Sequence, residues 1–244
     1  MRSLSAAELL GAWERGLTQS LIQRAVELLS VVYPEASLDC LLGLSIGQRD
    51  AELLALRERL FGPEMAGVTV CPQCGGRLDL TLNAAEMRSA CAQEPEAGLA
   101  LSVAGYELQF RPPTSEDLAA ALDFDGADEA RNRLLGRCLL SAQRDGATLR
   151  SDELPHEVVD SVSDWMARAD PLADIQLAVS CPLCDHHWQA AFDIVSFLWR
   201  EIESLAARLL RDVHTLASAY GWHERDILAL SPVRRQFYLA LLGA

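Results

Sequence analysis

The sequence predicts an α+β chain, mainly α-helical, with a small β element made of two Cys-Pro-x-Cys hairpins separated by an inserted, mostly helical segment. Three observations carry this. "CPQCGGRLDL" from Cys71 and "CPLCDHHWQAAF" from Cys181 repeat one short device, each between stretches whose apolar residues alternate with period two. Elsewhere apolar residues recur at steps of three and four, the period of a helix buried on one face. Half of the 244 residues are apolar, enough for a sizeable core.

Residues 1–66 read as a helical region. Ser5 with Glu8 makes a capping box ahead of Leu9, Leu10 and Trp13. A second helix is expected over about 19–32, with Leu21, Ile22, Ala25, Val26 and Leu29 on one face and Pro34 beyond its end. A third lies between Gly47 and Gly62, burying Leu53, Leu54, Leu56, Leu60 and Phe61.

From Val68 the period changes to two. "VTV" enters Cys71 and "RLDLTL" leaves Gly76, with Leu78, Leu80 and Leu82 on one side. "DIQLAVS" enters Cys181 and "HWQAAFDI" leaves it. These two hairpins, 67–85 and 174–195, form one split element. The segment 86–173 is an insertion, with one strand in "GYELQFRPP" and helices in "TSEDLAAALD", "DEARNRLLGRCLLSA" and "LPHEVVDSVSDWMARAD". The region 196–244 is helical again. Leu198, Ile202, Leu205, Leu209, Val213, Leu216 and Tyr220 make a long seam, and Ser231 with Pro232 starts a last helix.

A Cys-x-x-Cys turn between short strands brings two thiolates to one tip. Two such tips complete the tetrahedral four-sulfur shell that Zn²⁺ takes in closed structural sites. Cys71, Cys74, Cys181 and Cys184 are therefore the expected ligands of one structural zinc, and the element reads as a split, zinc-ribbon-like fold. The 106 residues between Cys74 and Cys181 exceed the roughly 15–20 of a compact ribbon. Loop-closure cost grows only logarithmically with length, so the separation is tolerable.

The same residues admit other readings. A redox dithiol wants its first cysteine at a helix N-terminus, and here both pairs run into strand-like sequence. His186 or His187 could replace a cysteine as ligand. A catalytic zinc lacks support: the His-x-Glu element of nucleoside deaminases is missing, and "HERD" at His223 has Ile227 where a zincin needs its second histidine. "DFDGADE" from Asp123 places its glycine too early for a calcium loop. Cys40, Cys91 and Cys138 have no partner at ligand spacing, and Cys138 among apolar neighbours is expected as a core thiol. No nucleophile–histidine pair or phosphate-cradling glycine loop can be read, so no enzyme is expected.

The formal charge of −14 opposes nucleic-acid binding. All 21 basic residues are arginine, which removes Schiff-base chemistry. No apolar run is long enough to span a membrane, and the N-terminus lacks a secretion signal, so a cytoplasmic protein with reduced thiols is expected.

Three stretches together carry a resemblance: "LGLSIGQRDAELLALRERLFG" at 42–62, "CPQCGGRLDL" at 71–80 and "LASAYGWHERDILALSPVRRQFYLALL" at 216–242. Their most specific residues are Gly47, Arg49, Asp50, Phe61-Gly62, the first Cys-Pro-x-Cys, and Tyr220-Gly221-Trp222 with Arg234, Arg235 and Tyr238. The chain is similar here to the T-even-type baseplate protein family, hub assembly chaperones of contractile-tailed phages and contractile injection systems. The resemblance implies a non-enzymatic adaptor or chaperone acting on hub, spike or other tail proteins. It sits in the producing cytoplasm during assembly or in the finished particle. Arginine and aromatic residues together are what interface hot spots favour, so Arg234, Arg235 and Tyr238 are the expected partner contact. Alanine at all three is expected to weaken hub binding without unfolding the chain. The alternative is a zinc-ribbon protein of transcription or RNA metabolism, which needs a basic face; a metal-dependent hydrolase would lose activity but keep its fold on chelation.

Overall fold

The computed structural model describes residues 1–90, 98–121 and 126–243. Cys91 and residues 123–125 of the stretch weighed as a calcium loop lie outside the described residues. In chain order come α1 (Ala6–Gly16), α2 (Leu21–Val32), α3 (Leu38–Leu42), α4 (Ile46–Phe61), β1 (Glu64–Val70), β2 (Arg77–Asn83), α5 (Ala84–Ala90), β3 (Leu99–Val103) and β4 (Tyr106–Phe110). Then follow α6 (Ser115–Ala121), α7 (Ala127–Cys138), β5 (Leu139–Arg144), β6 (Ala147–Thr148), α8 (His156–Ala169), β7 (Ile175–Ser180), β8 (His187–Phe192), α9 (Ile194–Tyr220), α10 (Glu224–Leu228) and α11 (Pro232–Leu242). Contacts divide the chain into two compact units, Met1–Ser37 with Ile194–Ala244, and Leu38–Asp193. The helices of 1–66 are thus shared: α1 and α2 join α9–α11, while α3 and α4 join the β elements.

The first unit is a helical assembly around α9. Capping boxes at Ser5/Glu8 and Ser20/Gln23 satisfy the free amides at the starts of α1 and α2. Leu198, Ile202, Ala206, Leu209 and Leu216 of α9 are buried among Leu9, Leu10 and Ala12 of α1 and Ala25, Leu28 and Leu29 of α2. Leu205 and Val213, expected in the seam, are half-buried, and Tyr220 is exposed. Gly16 sits so close to the Trp199 indole that a Cβ would fall 2.1 Å from it. Arg24 lies over the same indole, 4.5 Å from its ring centre, and donates to the Gly16 carbonyl at 2.8 Å. One arginine therefore caps a helix end and covers an aromatic face.

In the second unit the insertion carries more strand than expected. β3-β4-β5-β6 form one antiparallel sheet, where the sequence suggested a single strand at "GYELQF". Two two-residue turns explain it. Ala104-Gly105 and Asp145-Gly146 both have positive φ at each position (51° and 79° in both), the geometry whose twist matches a β-hairpin. The helix expected to run through Ala142 stops at Cys138. From Leu139 the backbone is extended, and Leu108 pairs with Ala142 across β4 and β5. Val158, Val159 and Val162 of α8 pack with Leu108 and Phe110 to cover the inner face.

Buried charge organises the rest of this unit. Asp117 accepts hydrogen bonds from both terminal guanidinium nitrogens of Arg111, from Nε of Arg137 at 2.7 Å, and from the Thr114 amide and hydroxyl at 2.9 Å each. Although burial opposes it, these donors hold its carboxyl well below the usual range. At α4, Ser45 caps the helix and the Gly47 amide donates to Asp170 Oδ2 at 2.9 Å. A Cβ at Gly47 would fall 1.9 Å from the other Asp170 oxygen. Next to it Arg49 donates to Asp50 at 2.7 Å and to Ser115 at 3.3 Å, all three residues buried. Gly47, Arg49 and Asp50, among the residues that carry the resemblance, therefore form an internal latch.

Candidate metal centre

Two antiparallel hairpins build the centre, β1–β2 and β7–β8. Period two decides which side chains meet. Met65, Leu78 and Leu80 of the first and Leu177, Val179, Trp188 and Ala190 of the second turn to the covered side. Val68 and Val70 point outward and are 51% and 58% exposed, because Gly67 and Thr69 take the inner positions opposite Leu80 and Leu78.

The two connecting turns are copies of one another. The Cys71 amide donates to the Gly76 carbonyl at 2.8 Å and the Gly75 amide to the Cys71 carbonyl at 2.9 Å. Cys181 to His186 and Asp185 to Cys181 repeat both bonds at the same distances. Each turn needs a left-handed residue after its second cysteine: Gly75 has φ 71° and Asp185 has φ 54°. At Gly76 a Cβ would lie 2.6 Å from the terminal methyl of Leu183 on the other turn, so the two turns approach closely there.

The turns bring together all four expected sulfurs. The Sγ atoms of Cys71, Cys74, Cys181 and Cys184 lie within 4.8 Å of one another. Both cross-hairpin pairs, Cys71–Cys184 and Cys74–Cys181, are 3.7 Å apart. Cys71 and Cys181 are buried, Cys184 is half-buried and Cys74 is exposed. Among the described residues this is the one group of three or more His, Cys, Asp or Glu side chains near enough to share an ion. His186 instead stacks on Trp188, ring centres 5.8 Å apart, and His187 Nδ1 lies 2.7 Å from the Asp185 carbonyl.

The electrostatics suit a cation. Burial pushes the Cys71 thiol up, but the Cys74 and Gln73 amides and the neighbouring thiols outweigh it and draw it down to about 7. Cys184 receives the His186 amide, yet burial and the other three sulfurs push it up to about 12. Each thiolate formed opposes the next, so the four ionise together only around a positive charge. Four sulfurs would fill a tetrahedral shell and leave no open position for water or substrate.

The remaining expected site residues are not near this cluster in the chain; they lie on α11. Arg234 is exposed. Arg235 is buried and donates to Asp212 of α9 at 3.1 Å, so it holds α11 in place. Tyr238 is half-buried in an aromatic group, 4.9 Å from Trp222 and 6.0 Å from Tyr220 between ring centres. Sequence reasoning did not find Asp185 or the Asp117 hub. The Cys-Pro-x-Cys repeat aligns Asp185 with Gly75, and that alignment was the available signal. Cys138 is a core thiol, pushed up to about 12 by burial.

No helix among the described residues is long and apolar enough to cross a membrane. No curated protein and no solved structure matches the chain. A family model described as T4 bacteriophage base plate protein matches residues 7–199. That span holds all four clustered cysteines and the Gly47–Asp50 latch, whereas the stretch 216–242 lies beyond it. The chain belongs to the T4 bacteriophage base plate protein family.

Proposed function

We propose that this protein is a non-enzymatic adaptor or assembly chaperone for the hub of a contractile-tail baseplate, clamped by a structural zinc on Cys71, Cys74, Cys181 and Cys184. The single supporting observation is the family membership of a chain whose four cysteines converge into a closed, all-sulfur group. Zinc is the preferred ion on chemical grounds. A Zn–S bond of about 2.3 Å requires a sulfur–sulfur edge of about 3.8 Å in a tetrahedron, against 3.7 Å for both cross-hairpin pairs. The amides of Gln73, Cys74 and His186 directed at sulfur are the outer-shell partners such sites use.

The metal's contribution is cohesion. Residues before Cys74 and after Cys181 are held at one point although 106 residues separate them. The protein thereby presents a rigid surface to tail proteins during assembly in the cytoplasm. The partner contact is assigned to the face of α11 that carries Arg234 and Tyr238, with Arg235 positioning that helix through Asp212. The test is co-expression with the hub and spike proteins. Full-length protein should co-purify with a hub component and with one zinc per chain, and Arg234→Ala with Tyr238→Ala should reduce capture while the far-ultraviolet spectrum is unchanged. Unaltered capture by that double variant removes the contact assignment; absence of any hub complex removes the chaperone reading.

A further inference from the structure

The two cysteine turns align residue for residue, Cys71 to Gly76 with Cys181 to His186, and their backbone hydrogen bonds match. At the sixth position the likeness ends. The second turn carries His186 there, whose ring stacks on Trp188. The first turn carries Gly76 and has no side chain of its own at that place. Leu183 reaches into the space from the other turn. A Cβ placed on Gly76 would lie 2.6 Å from Leu183 Cδ1 and 3.3 Å from Cys74 Sγ, so the leucine methyl and that sulfur flank one gap.

Core packing does not account for this leucine. Its side chain is 73% exposed, and it is not among the partly buried residues packed on the core between the hairpins. Burial therefore contributes little at this position. A single exposed leucine is ordinary on a protein surface. This one is distinguished by standing beside Cys74, the exposed member of the four cysteines, while Cys71 and Cys181 are buried and Cys184 is half-buried.

We infer that Leu183 is a shield for the metal centre: it covers the Gly76 side of Cys74 and slows exchange of the bound ion with ligands from outside. The inference rests on the zinc reading above. A closed four-sulfur shell leaves no vacant position, so an incoming ligand must first displace a sulfur, and the exposed one is the least obstructed. Apolar groups around a site limit the approach of water and of competing ligands. Leu183 supplies such a group at the one sulfur that the chain leaves open. Gly76 is its seat, because a side chain there would have to push the methyl aside. Shield and seat belong to different turns, so the cover exists only where the two hairpins meet.

The experiment is the rate of zinc release from full-length protein, loaded to one ion per chain, into an excess of a chromogenic pyridylazo chelator at neutral pH. Leu183→Ala should release zinc about 10-fold faster than wild type, the lower end of what changes outside the ligand shell cause. Leu183→Met keeps the length and apolarity of the side chain and should restore the wild-type rate. Val68→Ala, which truncates another exposed apolar residue of the hairpins, should release at the wild-type rate. In excess zinc all three should melt with wild type, so the effect is on exchange and not on folding. Equal release from wild type and Leu183→Ala overturns the proposal, as does Val68→Ala releasing as fast as Leu183→Ala, since general loosening would then suffice. A wild type that holds no zinc removes the clamp and the shield together; a zinc-loaded protein whose release ignores residue 183 removes the shield alone.

Discussion

Replacing Cys181 by serine tests the clamp most directly. Of the four buried side chains clustered between the two hairpins, two, Cys71 and Cys181, are cysteines; Leu78 and Val179 are the others, with Leu80, Leu177, Trp188 and Ala190 partly buried against them. At about 1.5–3 kcal/mol per buried aliphatic side chain, Leu78 and Val179 together contribute roughly 3–6 kcal/mol. Two-stranded hairpins are marginal by themselves. Structural zinc contributes an apparent ~10–16 kcal/mol at neutral pH, so a zinc held by the four sulfurs would be the largest single contribution to joining the hairpins. Divided over four ligands, one thiolate accounts for about 3–4 kcal/mol, or roughly 6–16 °C in Tm for a unit of this size. Zinc content by mass spectrometry, thermal melting and amide hydrogen exchange read the outcome. Cys181→Ser should lose zinc to a mild chelator. Amides of β1, β2, β7 and β8 should lose protection while those of α1, α2 and α9 keep it, because the helical unit has its own core. A wild-type protein without zinc, or a Cys181→Ser protein with the Tm and exchange pattern of wild type, would refute the reasoning.

Three further outcomes are expected. Asp117→Asn should cost about 3–5 kcal/mol at pH 7, since it leaves Arg111 and Arg137 around a neutral group. Because the folded pKa of Asp117 lies below the unfolded value, its contribution is present above about 3.9 and lost as pH falls through the folded pKa. The acid limb of a urea-unfolding profile should therefore be shallower in the variant. Asp50 behaves oppositely: burial raises its carboxyl to about 6, against the pull of Arg49, so stability falls as pH rises from about 4 to 6. Over that window wild type should lose about 3 kcal/mol relative to Asp50→Asn; equal pH profiles would contradict the assignment. At Asp185, with φ 54°, glycine should be neutral or stabilising by up to about 1 kcal/mol, and valine should destabilise by about 1–2 kcal/mol, both measured as shifts in the denaturation midpoint.

What could be read in advance was what depends on neighbours along the chain. Ser5 and Ser231 announce helix starts because a cap acts within three residues, and both cap helices in the structure. The doubled Cys-Pro-x-Cys could be read as two half-sites because one pair cannot fill a tetrahedral shell, and the four sulfurs do meet. The strand at Leu139–Arg144 was hidden because "RLLGRCLLSA" suits a helix locally; pairing with β4 overrides that propensity. The turn that follows it, Asp145-Gly146, is a strong local hairpin signal that the sequence reading passed over.

Tertiary structure alone decided the rest. Nothing in the order of residues joins Gly47 to Asp170, or Asp117 to Arg137 twenty residues on; those bonds exist because a buried carboxylate takes whichever donors packing brings to it. Arg235 shows the same limit. Its type and place suggested a surface contact, yet it is buried against Asp212, because α11 turns that face toward α9. The sequence by itself determined the helix starts, the paired cysteine turns and the overall acidity, all set by residue type and spacing. Which arginines hold the fold and which meet solvent was decided only when the helices packed, since a side chain's burial depends on what lies opposite it.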